Sequence, residues 1–175
     1  MALIRSIKGT KPRWGEDCFI AENATIIGDV TMGDQCSIWY QAVIRGDVNR
    51  IRIGNRVNIQ DGAIIHCTFE RSITKIGDDV SIGHQAIVHG CEIHPEVLIG
   101  MGSKIMDHAV IESHCIIAAG AVVLENTHCE SGYIYAGVPA RKIKPVSKAM
   151  LEGEIRRIAK NYIKYASWYK NDETP

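Results

Sequence analysis

Aliphatic side chains return at every sixth position over most of this chain. The series opens with Ile20, Ile26, Met32, Ile38 and Ile44, and small residues stand four places further on at Ala24, Val30, Cys36 and Ala42. An α-helix needs a period of 3.6 and a half-buried strand a period of 2, so neither produces a sixfold repeat. A fixed period of this kind predicts a parallel β-helix. Each hexapeptide is a short strand plus a corner, three of them close one triangular coil, and the inward aliphatics of successive coils stack on one another.

The interruptions of the period predict where the chain leaves the coil. After Ile44 the series resumes at Ile53, which puts a three-residue excursion within Asp47 to Arg50. It runs on through Ile59 and Ile65 and then stops until Ile76, so the polar stretch 67–75 is expected as an extruded loop. Beyond Ile76, Ile82 and Val88 it slips by one near Glu92, then continues through Ile99, Ile105, Ile111, Ile117 and Val123 to GYIYAGVPA at 132–140. This makes an all-β coil domain of about six coils over residues 1–144, counting roughly three hexapeptides per coil. Residues 1–18, broken by Pro12 and Gly15, read as its N-terminal cap.

Beyond Pro145 the spacing changes. Leu151, Ile155, Ile158, Tyr162, Ala166 and Tyr169 recur at intervals of three and four, the signature of an amphipathic α-helix with one apolar stripe. Ser147 is its expected N-cap, and Glu154, Arg157, Lys160 and Lys164 fall on the opposite side. Residues 145–175 are therefore expected as a helix lying along the outside of the coil stack.

Composition narrows the function more than the fold. With 175 residues, 20 basic and 20 acidic side chains, the chain has one domain's worth of core and no net charge, so neither nucleic acid nor an anionic membrane is an expected partner. The start lacks an apolar signal region and no apolar run approaches a membrane span. A soluble cytoplasmic protein is the expectation. The six cysteines form no CxxC pair and no small-domain framework; several occupy the small-residue position of the repeat, where a free thiol serves as a small apolar side chain.

The candidate chemistry lies in three histidines. Ile44, Ile65 and Val88 are one coil apart, so the residues that follow them, Arg45, His66 and His89, should form a column at roughly the 4.8 Å strand spacing. His84 follows Ile82 and belongs to the neighbouring face, with Gln60 and Asp61. Zinc needs its nitrogens at about 2.0–2.1 Å, which diverging faces of one prism do not supply. A threefold trimer would pack one face of each prism beside the next face of its neighbour, and the metal would take His66 and His89 from one subunit and His84 from another. A fourth position would stay open, as in catalytic zinc sites. His94, His108, His114 and His128 read as surface residues.

The stretch RGDVNRIRIGNRVNIQDGAIIH (45–66), followed by IGHQAIVHGC (82–91), resembles the gamma-class carbonic anhydrase family of hexapeptide-repeat proteins, and the resemblance covers nearly the whole chain. It implies a left-handed β-helix and a homotrimer with zinc, replaceable by iron or cobalt, at the subunit interfaces. It implies His66, His84 and His89 as ligands, with Arg45, Asp47, Asn58, Gln60 and Asp61 ordering the site and the interface. The implied reaction is reversible hydration of carbon dioxide to bicarbonate by a water made acidic on the metal, with Gln60 orienting it and Tyr162 matching a family tyrosine near the metal.

Two departures bear on activity. Where the family's prototype carries proton-transfer glutamates, this chain has Val48 and a short loop with Glu70 its only acid. Low activity is therefore expected. Two other readings compete. One is acyl transfer from acyl-CoA, since AGVPAR (136–141) is like the ending of hexapeptide acyltransferases, which use one histidine as general base. The other is a metal-binding structural subunit without activity.

Overall fold

The computed structural model describes residues 1–171 of a parallel β-solenoid with a single C-terminal helix. Its three faces are columns of short parallel strands. On the first face the inward column is Ile4, Ile26, Ile44, Ile65, Val88, Ile105 and Val123. On the second it is Trp14, Met32, Ile53, Ile76, Ile93, Ile111 and Cys129. On the third it is Ile20, Ile38, Ile59, Ile82, Ile99, Ile117 and Tyr135. The stack is thus seven levels high rather than the six expected. The additional level comes from the N-terminus, where Leu3–Arg5 and Arg13–Trp14 pair with the strand Thr25–Met32 and so begin the first coil. Proline and glycine had masked that coil in the sequence.

The core is the interior of this prism. Most of its isoleucines are fully buried, Ile26, Ile44, Ile65, Ile82 and Ile105 among them, and each such burial is worth about 1.5–3 kcal/mol. The small residues four places on, Ala24, Ala42, Val57, Ala63, Val80 and Ala86, fill the corners and are equally buried. Cys36 and Cys115 take the same places as free thiols. Burial pushes the Cys129 thiol up to about 12, which keeps it a protonated, apolar group.

The two insertions differ in kind. The excursion at 47–50 is absorbed within one continuous strand, Val43–Ile53, whose register against Thr25–Met32 jumps from Gly28↔Gly46 to Val30↔Ile51. Glycine is required there: a Cβ on Gly28 would lie 2.3 Å from the Gly46 carbonyl oxygen, and Gly28 holds φ +76°. The second insertion is a loop, but a shorter one than 67–75. Cys67 is fully buried and Thr74–Ile76 is a strand, so only 68–73 leaves the coil.

The final coil closes with Tyr133–Ala136, on which Arg141–Pro145 folds back antiparallel. The helix follows as Lys148–Met150, a π-helical stretch Leu151–Arg156 and Arg157–Asn171; residues 172–175 of the expected helix lie outside the described residues. Ser147 Oγ accepts from the Met150 amide at 3.2 Å, the cap that its position predicts. Ile155, Ala159 and Ala166 are buried against the third face, with Ile155 packed on Ile116 and Ile134. Tyr162 and Tyr169 meet Trp39 edge-on at 5.3 Å. The bidentate pair of Arg156 with Glu96 (2.7 and 2.9 Å) and the Lys170–Asp17 pair (2.7 Å) fasten the helix along its length. Among the described residues, no helix is long and apolar enough to cross a membrane. Among the described residues, the helix packs on strands of the third face.

Candidate metal centre

The stacking of Ile44 on Ile65 and of Ile65 on Val88 carries His66 directly onto His89, register partners at the end of the first-face strands Ile64–His66 and Ile87–His89. Their rings meet at a centroid distance of 5.1 Å, and His66 Nδ1 stands 3.1 Å from His89 Nε2. The other nitrogen of each ring faces a carboxylate. His89 Nδ1 lies 2.6 Å from Asp107 Oδ1, and His66 Nε2 lies 3.2 Å from Asp47 Oδ1. A neutral imidazole carries one N–H, and a carboxylate draws it to the nitrogen it faces. With both protons held at the carboxylates, the two remaining nitrogens turn lone pairs toward each other. In that pair of tautomers a cation between the two nitrogens would satisfy both.

The spacing suits a metal. Two nitrogens bound at 2.0–2.1 Å in tetrahedral geometry lie about 3.3 Å apart, and the observed 3.1 Å is close to that. Burial lowers the pKa of His66, with Arg45 and His89 adding to the effect and Asp47 opposing it, which favours the neutral ring that a metal ligand must be. Asp47 also accepts from Arg45 Nη1 at 2.6 Å. Burial opposes ionisation of Asp47, but the bonds from Arg45 and His66 prevail and hold its carboxyl below the usual range.

His84 is not part of this group within one chain. It sits in the turn between Ser81–Ile82 of the third face and Ile87–His89 of the first, across the first face from the His66–His89 edge. Its Nδ1 pairs with Asp61 Oδ2 at 2.8 Å, leaving Nε2 uncommitted to that carboxylate. Among the described residues, no cluster of three or more His, Cys, Asp or Glu in the single chain is arranged to hold a metal.

Gln60, Asp61 and Tyr162 gather on the His84 side. Gln60 is buried and donates to Asn58 Oδ1 at 2.9 Å, and Asn58 donates in turn to Ser81 Oγ at 2.7 Å. Gln60, His84 and Tyr162 line a cavity of about 390 Å³ between the helix and the third face, with Leu98, Met101 and Tyr165 as its apolar wall. Burial, followed by the charges of Asp61 and Tyr165, pushes the Tyr162 hydroxyl up to about 12. Of the expected site residues, the structure thus joins Arg45, Asp47, His66 and His89 at one edge of the first face and Gln60, Asp61 and His84 at the other, with Tyr162 beside the second group.

Sequence reasoning missed Asp107. It is 4% exposed and comes from the coil after His89, where Val88 pairs with Ile105 and so sets Asp107 level with Gly90. Register arithmetic carried one coil further would have found it. Val48, at one of the positions where the family has an acid, packs against the core instead. Glu70 lines a separate cavity of about 310 Å³ with Arg71, Lys75 and Glu92.

Comparison with known proteins places the chain among hexapeptide-repeat proteins. The bacterial transferase hexapeptide family (six repeats) matches residues 15–46 and 90–125. The chain is 38% identical over 168 residues to gamma carbonic anhydrase 2, mitochondrial, of Arabidopsis thaliana, covering 93% of this chain and 60% of the plant protein. The chain thus spans little more than half the length of that relative. It is 38% identical over 168 residues to a carbonic anhydrase of Geobacillus kaustophilus, covering 96% of this chain and 91% of the other. Among solved structures, a hexapeptide transferase family protein of Anaplasma phagocytophilum superposes with a TM-score of 0.89 at 35% identity, covering 95% and 98% of the two chains.

Proposed function

Because the chain belongs to the gamma carbonic anhydrase-like family of hexapeptide-repeat proteins, we propose that it is a zinc-dependent carbonic anhydrase. It hydrates carbon dioxide reversibly to bicarbonate at sites shared between the subunits of a homotrimer. The observation that carries this reading is the pair of imidazole nitrogens 3.1 Å apart, each ring backed by its own carboxylate. Carboxylate-backed histidines are the usual first ligands of catalytic zinc.

The subunit arrangement follows from the first face. Its outward residues alternate with the buried column and include an apolar run, Val43, Ile64 and Ile87, which Lys104 separates from Val122. Ile64 is 40% exposed in the single chain. Burying this strip against a neighbour sets the His66–His89 edge of one subunit beside the His84 edge of the next. His66 and His89 from one chain and His84 from the other then hold the zinc; iron or cobalt would suit the same donors. These residues would hold a metal that, when bound, would supply Lewis-acid chemistry able to make water acidic near neutral pH.

The other residues orient and tie. Gln60, fixed through Asn58 and Ser81, orients water or substrate in the cavity beside His84. Arg45 holds Asp47, which holds His66, and the pair also offers charge to a neighbouring subunit. Tyr162 closes the cavity from the helix side.

Each hydration releases one proton. Asp47 accepts from Arg45 and His66, and its carboxyl is held below the usual range, which makes it a poor proton acceptor near neutrality. Val48 has no acid, and Glu70 lies at another cavity. The proton therefore leaves on diffusible buffer, and activity is low but buffer-dependent. Carbon dioxide hydration by the zinc-loaded protein should rise with buffer concentration, and Val48→Glu should raise it most when buffer is scarce. If no hydration occurs at any buffer concentration while acetyl groups are transferred from acetyl-CoA, the acyltransferase reading replaces this one. Zinc bound without either activity would leave the structural-subunit reading.

A further inference from the structure

Asp107 is a buried carboxylate at the back of the histidine pair, and its surroundings are built around it. Its side chain is 5% exposed. Oδ1 faces His89 Nδ1 at 2.6 Å, and Oδ2 accepts from Thr68 Oγ1 at 2.5 Å. Ser72 Oγ accepts from the Thr68 amide at 2.9 Å and so braces the residue that holds Asp107. The loop at 68–73 thus wraps over Asp107 and fixes its carboxyl plane. The same loop leads into Thr74, whose Oγ1 donates to the His66 carbonyl at 2.6 Å and accepts from the Gly90 amide at 3.0 Å.

Gly90 completes the arrangement. A Cβ built there would lie 2.1 Å from Asp107 Oδ1 and 2.2 Å from Ser72 Oγ, so any side chain at 90 would displace both. Gly90 also holds φ +58°, a region that side chains disfavour. The residue after His89 is thereby kept empty so that a carboxylate from the next coil reaches the back of the ring.

We infer that Asp107 is a positioning residue: held by Thr68, which Ser72 braces, it fixes His89 in the tautomer protonated at Nδ1, so that Nε2 presents its lone pair beside His66 Nδ1. The inference deepens the proposed carbonic anhydrase reading and rests on it for what the lone pair binds. An imidazole of the other tautomer would direct an N–H at His66 and could not ligate through Nε2. Asp47 serves His66 in the same sense but is partly exposed and shared with Arg45. Asp107 is spent on His89 and the loop alone.

Two measurements on the intact chain separate this role from a merely structural one. The first is zinc affinity by competition with a chelator. Asp107→Asn should weaken it by about 10–100-fold, the usual cost of losing a partner behind a ligand, while the thermal transition and oligomeric state stay near those of the parent protein. The second is long-range proton–nitrogen NMR of the histidine rings in metal-free protein. The parent should show His89 protonated at Nδ1, and Asp107→Asn should mix or reverse the tautomers. Parent-like affinity together with an unchanged tautomer in Asp107→Asn overturns the inference. If the parent protein binds no zinc, the carbonic anhydrase reading falls, yet the ring measurement still decides whether Asp107 sets the tautomer. Should Asp107→Asn fail to fold, Thr68→Ala removes the bond to Oδ2 from a half-buried loop position. It should lower zinc affinity and loosen the tautomer preference, and parent-like values for both overturn the inference.

Discussion

The first and second faces of the prism are nearly the same inside and opposite outside. Both stack aliphatic on aliphatic: Ile44, Ile65 and Val88 on one, Ile53, Ile76 and Ile93 on the other. Outside, the first face presents Ile27, Val43, Ile64 and Ile87, and the second presents Arg52, Lys75, Glu92 and His94. Each face also carries a pair of histidines beside carboxylates. On the second, His94 and His128 share Glu112, one on each oxygen at 3.0 Å, so the acid already stands between them. On the first, His66 and His89 have separate acids behind them, and no carboxylate stands between their facing nitrogens. Histidine count and spacing do not separate these cases; the position of the carboxylate does.

The widest separation between the faces should appear in metal binding. His89→Ala should lose zinc affinity by more than the roughly 100-fold upper cost of losing an outer partner, whereas His94→Ala and His128→Ala should bind as the parent does. Isothermal titration or chelator competition would show it, and equal losses on both faces would erase the distinction.

Inside the prism the faces should behave alike. Ile65→Ala and Ile93→Ala each remove a buried aliphatic from the same kind of column, with costs of about 2–5 kcal/mol measurable by chemical denaturation. A small cost at Ile93 beside a large one at Ile65 would mean that the core itself is asymmetric.

Surface substitutions should separate the faces again, with smaller effect. Ile64 is 40% exposed in the single chain, so Ile64→Lys on the first face forfeits about 1 kcal/mol per subunit of burial at the proposed interface and should shift the trimer toward monomer in light scattering. Val110→Lys on the second face, equally apolar by sequence, should leave the assembly intact. Dissociation by Val110→Lys would place the interface on the wrong face.

The smallest effect belongs to the second face alone. The hydrogen bond from His128, followed by the charge of His94, holds the Glu112 carboxyl below its ordinary value. A depressed folded pKa contributes stability above the unfolded value of 4.5 that is lost as pH falls through the folded value. This carboxylate is partly exposed, so the contribution should be screened by salt. Glu112→Gln should flatten the acid limb of the melting curve slightly at low ionic strength and leave it unchanged at high salt. A flattening that persists in high salt would contradict an exposed pair.

Much of this was legible in the chain. The sixfold period placed Ile44, Ile65 and Val88 in one column and so predicted that His66 and His89 would touch. Leu151 to Tyr169 marked the helix, and Ser147 its cap. What escaped was local. The first coil lacks regular aliphatics because its strands are at the end of the stack, where Leu3 and Trp14 remain partly exposed and no neighbour below demands a sixth-place isoleucine. Cys67 and Thr74 were assigned to the loop because polarity was read along the chain, while their burial is set by the coils above and below. Asp107 escaped for a related reason: an acid two places after an aliphatic is ordinary in sequence, and only the neighbouring coil gives it a histidine.

The central claim is that each metal site takes His66 and His89 from one subunit and His84 from the next, and mixing tests it most directly. A His84→Ala chain and a His66→Ala/His89→Ala chain would be unfolded and refolded together with zinc, then weighed by native mass spectrometry. Neither variant alone should hold zinc, and each mixed trimer should hold one, because only one of its interfaces joins an intact pair to an intact His84. Mixed trimers without zinc, or full zinc occupancy in the His84→Ala protein alone, would contradict the shared site.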